Sequence, residues 1–221
     1  SSHAAAGSQE SDGTAYWMPT LSYIRRGGDL SYGVALLAQG GMGTEYGAGS
    51  SLFAGGMSSQ GAPIAMSGED IRSEVGFGRI MFPVAWNASK QLVLAGQIDL
   101  AWASMDLRMD MDGQNLAGMM GQGLVSGALT NFLPQTIDYA RFDFSDDSPI
   151  TGRAKSYGWG YKLGALWQVN EQFKLGVAYH AKTRMGDMKT DDAHLSVNGG
   201  PMHGTLKVID FQWPETYGFG L

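Results

Sequence analysis

The sequence contains no cysteine among its 221 residues. This absence excludes disulfide scaffolds, thiol catalysis and zinc sites built from thiolates. Charged residues are also few, at 16% against about 25% in ordinary soluble domains. With a formal net charge of −6 and no run of lysine or arginine, the chain lacks a basic surface that would follow a phosphate backbone, so nucleic acid is not an expected partner.

Long apolar runs are missing as well. No stretch reaches the roughly 18 consecutive apolar residues that a membrane-spanning helix needs, and the mean hydropathy of −0.14 resembles that of a soluble protein. A barrel strand needs only about 10 residues with alternate positions apolar, so a transmembrane β-barrel remains possible. Residues 1–13 are small and polar and do not form a signal peptide, so we expect that an exported protein would lack its start here.

Glycine is abundant, with 33 residues, and the connections between predicted strands alternate between short and long. The predicted hairpins pair residues 16–24 with 30–39, 73–86 with 91–102, and 156–168 with 172–183, and a last strand begins at Leu206. Long loops are expected at about residues 40–70, 104–151 and 184–204. Short turns at one end and long loops at the other are typical of outer-membrane barrels, so we predict one partial barrel domain over residues 1–221 with about seven strands.

The alternation within these hairpins predicts a register. Gly27 and Gly28 suit the two-residue turn of the first hairpin. Folding the second hairpin about Ser89 places Trp86 beside Leu92, and it places Arg79 opposite Asp99 on the polar face. We therefore predict that Arg79 and Asp99 form an ion pair in the lumen that supports the barrel wall.

Folding the third hairpin about Asn170 places Leu163 beside Val177 and Gly160 opposite His180. A catalytic serine is therefore not expected beside His180, and the sequence has no Gly-x-Ser-x-Gly motif. The chain is predicted not to be an enzyme.

Four aromatic residues indicate whether the apolar face meets lipid or a protein core: Trp86, Trp102, Tyr157 and Trp167. Along the apolar faces they lie about ten residues apart, and ten tilted residues span about 25 Å, the height of the lipid-facing band of a barrel. We predict that they face lipid. Two alternatives are a soluble β-barrel or sandwich around an apolar ligand, in which these aromatics would point inward, and a general porin, which would need rings of charge in its lumen.

Five blocks of sequence carry a resemblance. They are residues 33–47 (GVALLAQGGMGTEYG), 73–86 (SEVGFGRIMFPVAW), 101–107 (AWASMDL), 140–145 (ARFDFS) and 211–218 (FQWPETYG). In this order they resemble the outer-membrane long-chain fatty acid transporters of the FadL/TodX family. That resemblance implies a fourteen-stranded barrel closed by an N-terminal hatch with an Asn-Pro-Ala motif. Neither hatch nor motif is present, so the sequence is expected to be a fragment of about seven strands that is not a working transporter by itself.

The family resemblance also implies a function. It implies passive transport of hydrophobic compounds, above all long-chain fatty acids, across the bacterial outer membrane, without a cofactor or metal and as a monomer in outer-membrane lipid. Substrate would be captured in a groove among the loops and released sideways through a kink in the third strand, where Gly33, Gly40 and Gly41 lie. Glycine also simply permits bending or twisting of a strand, so the kink is one of two interpretations.

The groove would come from apolar residues in the long loops. These are Phe53, Met57, Leu116, Met119, Met120, Leu124, Val125, Leu129 and Phe132. Methionine is deformable and suits binding of varied apolar ligands. The spacing of Leu116, Met120 and Leu124 is helical, so a short loop helix that packs on the rim of the barrel explains these residues equally well.

Two clusters resemble metal sites. Asp110, Asp112 and Gly113 match half of a calcium loop, but Arg108 and Met119 stand where acidic ligands belong, so a polar loop is predicted. A second cluster combines two histidines with two neighbouring aspartates: His194, His203, Asp191 and Asp192. Its spacing matches no standard ligand pattern, so a solvated loop without metal is predicted.

Overall fold

The computed structural model describes residues 10–49, 55–57, 63–132, 136–148 and 151–221, with backbone alone for residues 55–57 and 63–65. The strands are β1 (Thr20–Gly27), β2 (Leu30–Tyr46), β3 (Gly55–Met57), β4 (Pro63–Ala65), β5 (Ile71–Asn87), β6 (Leu92–Asp112), β7 (Tyr139–Asp143), β8 (Ala154–Gln168), β9 (Lys174–His180), β10 (Arg184–Met185), β11 (Met188–Val197), β12 (Gly200–Val208) and β13 (Thr216–Gly220). One α-helix, α1 (Gly113–Gly121), precedes a 3₁₀ turn (Gly127–Asn131). Within these ranges, no helix has the length and apolar character needed to cross a membrane.

Apart from the small β3–β4 pair, the strands form one antiparallel sheet. At the end that carries the short turns, its neighbours in order are β1, β2, β5, β6, β8, β9 and β13. Toward the other end β6 and β8 separate: β6 pairs with β7, β7 with β11, and β11 meets β8 at a single pair. The sheet is therefore wider at the loop end than at the turn end.

The first hairpin turns one residue later than predicted. Gly27 pairs with Leu30, so Gly28 and Asp29 are the central residues of the turn. Gly28 has a φ of 61°, a conformation that glycine adopts without steric cost. A positive φ at the first central position is the pattern of a type II′ turn, whose twist matches that of the flanking strands.

The other two predicted registers are wrong by two residues. Trp86 pairs with Leu94 rather than Leu92, and Leu163 pairs with Tyr179 rather than Val177. The cause lies in the turns, which are centred one residue later than predicted, at Lys90 and Glu171. The hydroxyl of Ser89 accepts hydrogen bonds from the N–H groups of residues 91 and 92, and the Asn170 side chain accepts from residues 172 and 173.

Strands also extend into the ranges predicted as loops. β2 and β5 stay paired up to Tyr46 and Ile71, β6 continues to Asp112, and β11 and β12 form a hairpin across most of the third predicted loop. In these regions the residues on the outer face change from apolar to polar. The alternation of apolar and polar residues that predicts a strand is therefore lost, although the strands continue beyond the apolar band.

The two faces of the sheet differ sharply. Trp86, Tyr157 and Trp167 project from the outer face with 51%, 72% and 49% of their surface exposed. Trp102 also lies on the outer face, where its ring covers Gly78. An exposed band of large apolar residues on one face of an antiparallel sheet is the pattern of a lipid-facing barrel wall.

On the loop side of Trp102, the outer face carries charged residues that form ion pairs. Arg108 contacts Asp70 at 2.7 Å, and Arg141 contacts Asp70 and Asp110 at 3.1 and 3.3 Å. Although its partial burial raises the pKa of Asp70, the hydrogen bond and charge of Arg108 and the charge of Arg141 hold it below the usual aspartate value. This ionic cluster marks the upper limit of the apolar band.

Candidate functional site

The inner wall is organised around the guanidinium group of Arg79 on β5, whose side chain is fully buried. Arg79 Nη1 lies 2.9 Å from Asp99 Oδ2 on β6 and 3.1 Å from His180 Nε2 at the end of β9. Arg79 Nη2 donates to the hydroxyl of Thr183 at 2.8 Å, and Nε donates to the side-chain oxygen of Gln39 on β2. We call these five residues the Arg79 hub.

Asp99 is the counter-charge of the hub and is itself fully buried. Its second oxygen accepts a hydrogen bond from Gln97. Although Arg79 pairs in register with Ala101 and Asp99 with Met81, the long arginine side chain reaches diagonally across the strands to Asp99. The structure thus brings together the two residues predicted as a lumen pair, at a register different from the predicted one.

Gln39 joins the hub because β2 contains a bulge. Ala38 pairs with Gly78 and Gly40 with Phe77, so Gln39 is an extra residue without a partner on β5. A bulge bends the strand and redirects the side chain of the extra residue, and here the Gln39 amide meets Arg79.

The predicted kink glycines divide between two positions. Gly40 and Gly41 directly follow the bulge. Gly33 lies in the regularly paired part, opposite Ile24 on β1. A side chain at Gly33 would approach the Tyr23 carbonyl oxygen to 2.2 Å, so this glycine serves the close approach of two strands rather than the bulge.

Beside the bulge, the wall is loosely joined to the segment that precedes β1. Ala38 N donates to the Pro19 carbonyl and Asp12 N donates to the Glu45 carbonyl. Between these two contacts, among the residues that the structure describes, no backbone hydrogen bond joins residues 39–44 to residues 10–19. A cleft of about 130 Å³ lies here; it is lined by residues of both faces, including Trp17, Gly40, Gly41, Gly76, Phe77 and Trp102.

An apolar cluster covers the hub toward the loop end. The rings of Phe77 and Trp213 stack with centroids 4.8 Å apart, and Phe211 packs at 6.3 Å from Phe77. The Arg79 guanidinium carbon lies 5.0 Å from the Phe77 centroid and 6.0 Å from that of Trp213. Aromatic rings attract a guanidinium group that lies over their faces, so the cluster shields the hub and also stabilises its charge.

Toward the turn end, the inner wall forms an open concavity of about 310 Å³. Small or apolar residues line most of it, including Ser31, Pro83, Ala85, Ala95, Gly164 and Ala178. Lys162 is the one cationic residue in this lining. It pairs across the strands with His180, which places Lys162 beside the hub, and in the described part of the chain no carboxylate lies within 4 Å of its amine.

The predicted groove residues separate into two groups. Leu116 on α1 is fully buried and packs with Ile137, Ala140 and Val197, and Met120, Val125 and Leu129 contact the same cluster at the rim. Leu124 and Phe132 are instead 64% and 37% exposed, and Met119 is half-buried. Phe53 and the side chain of Met57 lie outside the described residues.

The half calcium loop has structural roles. The Asp112 carboxylate accepts a hydrogen bond from Asn115 N and caps α1. Asp110 accepts hydrogen bonds from Ser67 and lies 3.3 Å from Arg141. These aspartates therefore hold the loops onto the rim.

Several residues of the inner wall were not predicted as site residues: Gln39, Phe77, Lys162, His180, Thr183, Phe211 and Trp213. Gln39 and Thr183 meet Arg79 across separations of 40 and 104 residues. No local pattern signals a contact over such distances. Lys162 pairs with His180, and the two-residue error in the predicted register of this hairpin concealed that position.

Solved channels of outer membranes share this architecture. The P. putida toluene transporter TodX is 27% identical to this chain, with a TM-score of 0.79 over 96% of the chain and 51% of TodX. The Ralstonia pickettii toluene transporter TbuX is 30% identical, with a TM-score of 0.74 over 91% of the chain and 49% of TbuX. The monoaromatic hydrocarbon channel CymD is 24% identical with a TM-score of 0.68 over 90% of the chain and 48% of CymD, which supports the fold alone. Neither a family model nor a curated protein sequence matches the chain.

The chain thus spans about half the length of these channels. The predicted fold, a wall of a transmembrane antiparallel β-barrel, is confirmed. The neighbours are channels rather than enzymes, in agreement with the prediction that the chain is not an enzyme.

Proposed function

We propose, from the membership of this chain in the FadL/TodX family of hydrophobic-compound channels, that it forms the part of such a channel where an apolar molecule leaves the lumen. Passive transport of hydrophobic compounds is the function that the neighbours support. The observation that carries the proposal is the cleft beside the bulge, because residues of both faces line it. The site of action is the bacterial outer membrane, with the protein acting as a monomer and without a cofactor.

Capture is proposed to begin at the loop end. Leu124 and Phe132 expose apolar surface that does not contribute to the rim cluster, and Met119 on α1 adjoins Leu124, whose N–H donates to the Met119 carbonyl. Leu116, Met120, Val125 and Leu129 pack on the rim and hold this surface in place. The two interpretations of the loop, groove and rim packing, thus apply to different residues.

Release is proposed to occur through the cleft. The bulge at Gln39 interrupts the alternation of side chains. Gly40 and Gly41 leave the wall thin in the part of β2, residues 39–44, that makes no backbone hydrogen bond to residues 10–19 in the described chain. The Arg79 hub fixes the inner side of this opening through Gln39. An apolar molecule in the lumen would therefore reach lipid through the cleft, whose lining is mostly small or apolar and includes Glu74 and Ser104.

The cleft is tested by filling it. In the channel of which this chain forms part, Gly41→Phe is expected to slow uptake of an apolar substrate into cells or liposomes. Equilibrium binding is expected to be unchanged, because Gly41 lies in neither the loop surface nor the concavity. Gly96→Phe is the matched control, since Gly96 lies in β6 outside the cleft. Its backbone borders the concavity, but a Cβ there points toward Leu163 on the outer face, at 3.9 Å. Equal uptake by the two variants and the unchanged protein would refute release at the bulge.

For the substrate, we propose a long-chain fatty acid. The concavity provides an apolar surface with a single amine at its upper edge, an arrangement that suits an amphiphile with a carboxylate at one end. Arg79 cannot take this role, because Asp99 already neutralises its charge. A monoaromatic hydrocarbon is the second candidate, because the similar channels TodX and TbuX transport toluene.

Lys162→Met distinguishes the two substrates. With a fatty acid as substrate, the variant is expected to bind oleate at least about tenfold more weakly, because an ion pair in an apolar site is worth over 1.4 kcal/mol. Toluene uptake should be unaffected, and Lys90→Met in the turn between β5 and β6 is the control for general loss of charge. Uptake of toluene with no saturable oleate binding by either protein would favour the hydrocarbon.

A further inference from the structure

The hairpin of β11 and β12 carries a group of three potential metal ligands outside the transport path. His194 and His203 are directly paired across the two strands, and their rings meet with centroids 4.7 Å apart. One ligand atom each from Asp192, His194 and His203 lies within 4.8 Å of the others. Among the described residues, this is the one set of three such side chains that meets that distance.

A bulge in β11 creates this arrangement. Thr190 pairs with Leu206 and Ala193 with Gly204, so Asp191 and Asp192 together face Thr205. Thr190 and Ala193 are both buried, which shows that the extra residue reverses the alternation of β11. Because of this reversal, Asp192 projects to the same exposed side as His194. A sequence pattern cannot show this, since the ligands come from two strands whose register it does not fix.

Neighbouring side chains hold the Asp192 carboxylate beside the histidines, whereas the Asp191 carboxylate is engaged in other contacts. Arg153 holds one carboxylate oxygen of Asp192, Oδ2, through a hydrogen bond. The other oxygen, Oδ1, lies 3.6 Å from His194 Nε2. The carboxylate of Asp191 is instead engaged by Lys189 at 2.8 Å and by the Thr205 hydroxyl at 3.2 Å.

Two imidazoles and one carboxylate are the ligands of a divalent transition-metal ion such as Zn²⁺. With metal–ligand bonds of about 2.0–2.2 Å, tetrahedral ligand atoms lie about 3.3–3.6 Å apart. The ligand atoms, which lie within 4.8 Å of one another, therefore need to close by at most about 1.2–1.5 Å, which rotation of exposed side chains supplies. Ca²⁺ and Mg²⁺ prefer oxygen ligands and are poorly served here.

We propose that Asp192, His194 and His203 form a surface site for a divalent transition-metal ion of the Zn²⁺ type. The bound ion joins β11 to β12 and tightens the hairpin that borders the loop end of the barrel. Water completes its coordination, because the three ligands are exposed. The site is independent of the transport function, since it adjoins neither the Arg79 hub nor the cleft.

The test is isothermal titration calorimetry, in which Zn²⁺ is added to the full-length protein in detergent and in a buffer that does not chelate metals. One equivalent is expected to bind. Loss of a residue that only supports a metal ligand typically lowers metal affinity about 10–100-fold, and loss of a ligand itself should cost at least as much. His194→Asn and His203→Asn are therefore each expected to lower Zn²⁺ affinity at least about tenfold. Asp191→Asn is the matched control and is expected to bind as the unchanged protein does.

A second measurement reads the structural effect. Zn²⁺ is expected to slow amide hydrogen exchange across residues 192–205 in the unchanged protein and in Asp191→Asn. It should have no such effect in the variant with both histidines replaced. Absence of stoichiometric binding at millimolar Zn²⁺, or unaltered binding by the double histidine variant, would overturn the proposal. All three positions are exposed, so the variants are expected to fold, which circular dichroism verifies.

Discussion

Replacement of Arg79 by methionine is the sharpest test of the inner wall. Methionine keeps most of the aliphatic volume but removes every donor of the hub. Asp99 would lose the partner at 2.9 Å and keep only Gln97 and the nearby His180 ring, while Thr183 and Gln39 would each lose a hydrogen bond.

The expected loss is large because both charges are fully buried. Removing one partner of a buried ion pair typically costs about 3–5 kcal/mol, since the other charge is left without compensation. We expect a decrease in the free energy of unfolding within this range for Arg79→Met. Arg79→Lys should cost less, because its amine still reaches Asp99 but cannot serve Gln39 and Thr183 together.

The assay is urea unfolding of the detergent-solubilised protein, followed by tryptophan fluorescence. Arg79→Met, Asp99→Asn and the double variant form a cycle in which the double variant should cost less than the sum of the two single variants by about 1–3 kcal/mol. Hydrogen exchange at residues 39–41 should accelerate in Arg79→Met, because Gln39 is released. Additive losses, or a loss below about 1 kcal/mol for Arg79→Met, would refute a coupled hub.

Three further outcomes are expected. Gly78→Ala should lower the free energy of unfolding by about 1–3 kcal/mol and shift tryptophan fluorescence, because its Cβ would lie 2.1 Å from the Trp102 ring. Leu116→Ala should cost about 2–5 kcal/mol in urea unfolding, since Leu116 is fully buried, whereas Leu124→Asp should weaken binding of an apolar ligand without a loss of stability. Asp70→Asn should remove an acid-sensitive step from thermal unfolding: with its pKa lowered in the fold, Asp70 stabilises above its unfolded value of about 3.9 and loses that effect as pH falls through the folded value.

Three results would contradict the expectations for Gly78, Leu124 and Asp70. An unchanged fluorescence and stability in Gly78→Ala would mean that Trp102 does not cover the glycine. Equal loss of binding and stability in Leu124→Asp would assign it to the rim cluster. Parallel pH profiles of Asp70→Asn and the unchanged protein between pH 6 and 3 would exclude Asp70 as the acid-sensitive group.

The sequence alone predicts which residues face lipid and which face inward. Trp86 and Trp167 were placed on the outer face and Arg79 and Asp99 on the inner face, and the structure agrees. These predictions depend on alternation along a strand, which a single strand already displays. The family resemblance gave the kind of barrel.

Residue partners across strands were harder to predict. The residue on which a turn is centred depends on how Ser89 or Asn170 folds back on the backbone, and alternation is the same for registers that differ by two. The sequence also gives no sign of the bulges at Gln39 and at Asp191–Asp192, because no residue type marks an extra residue in a strand. Contacts such as Arg79 with Thr183 depend on all of these at once.

The hub has a consequence for how the barrel assembles. Slipping a strand by one residue exchanges its lipid-facing and inward-facing side chains and is strongly opposed, but a slip of two residues leaves both faces unchanged. Hydrophobicity therefore cannot correct a two-residue slip during folding. Arg79 can, because its partners lie 20, 40, 101 and 104 residues away in the chain and meet it in one combination of registers. A wall with a wrong register would leave the buried charge of Arg79 uncompensated. That cost would favour separation of the strands and renewed pairing in the correct register.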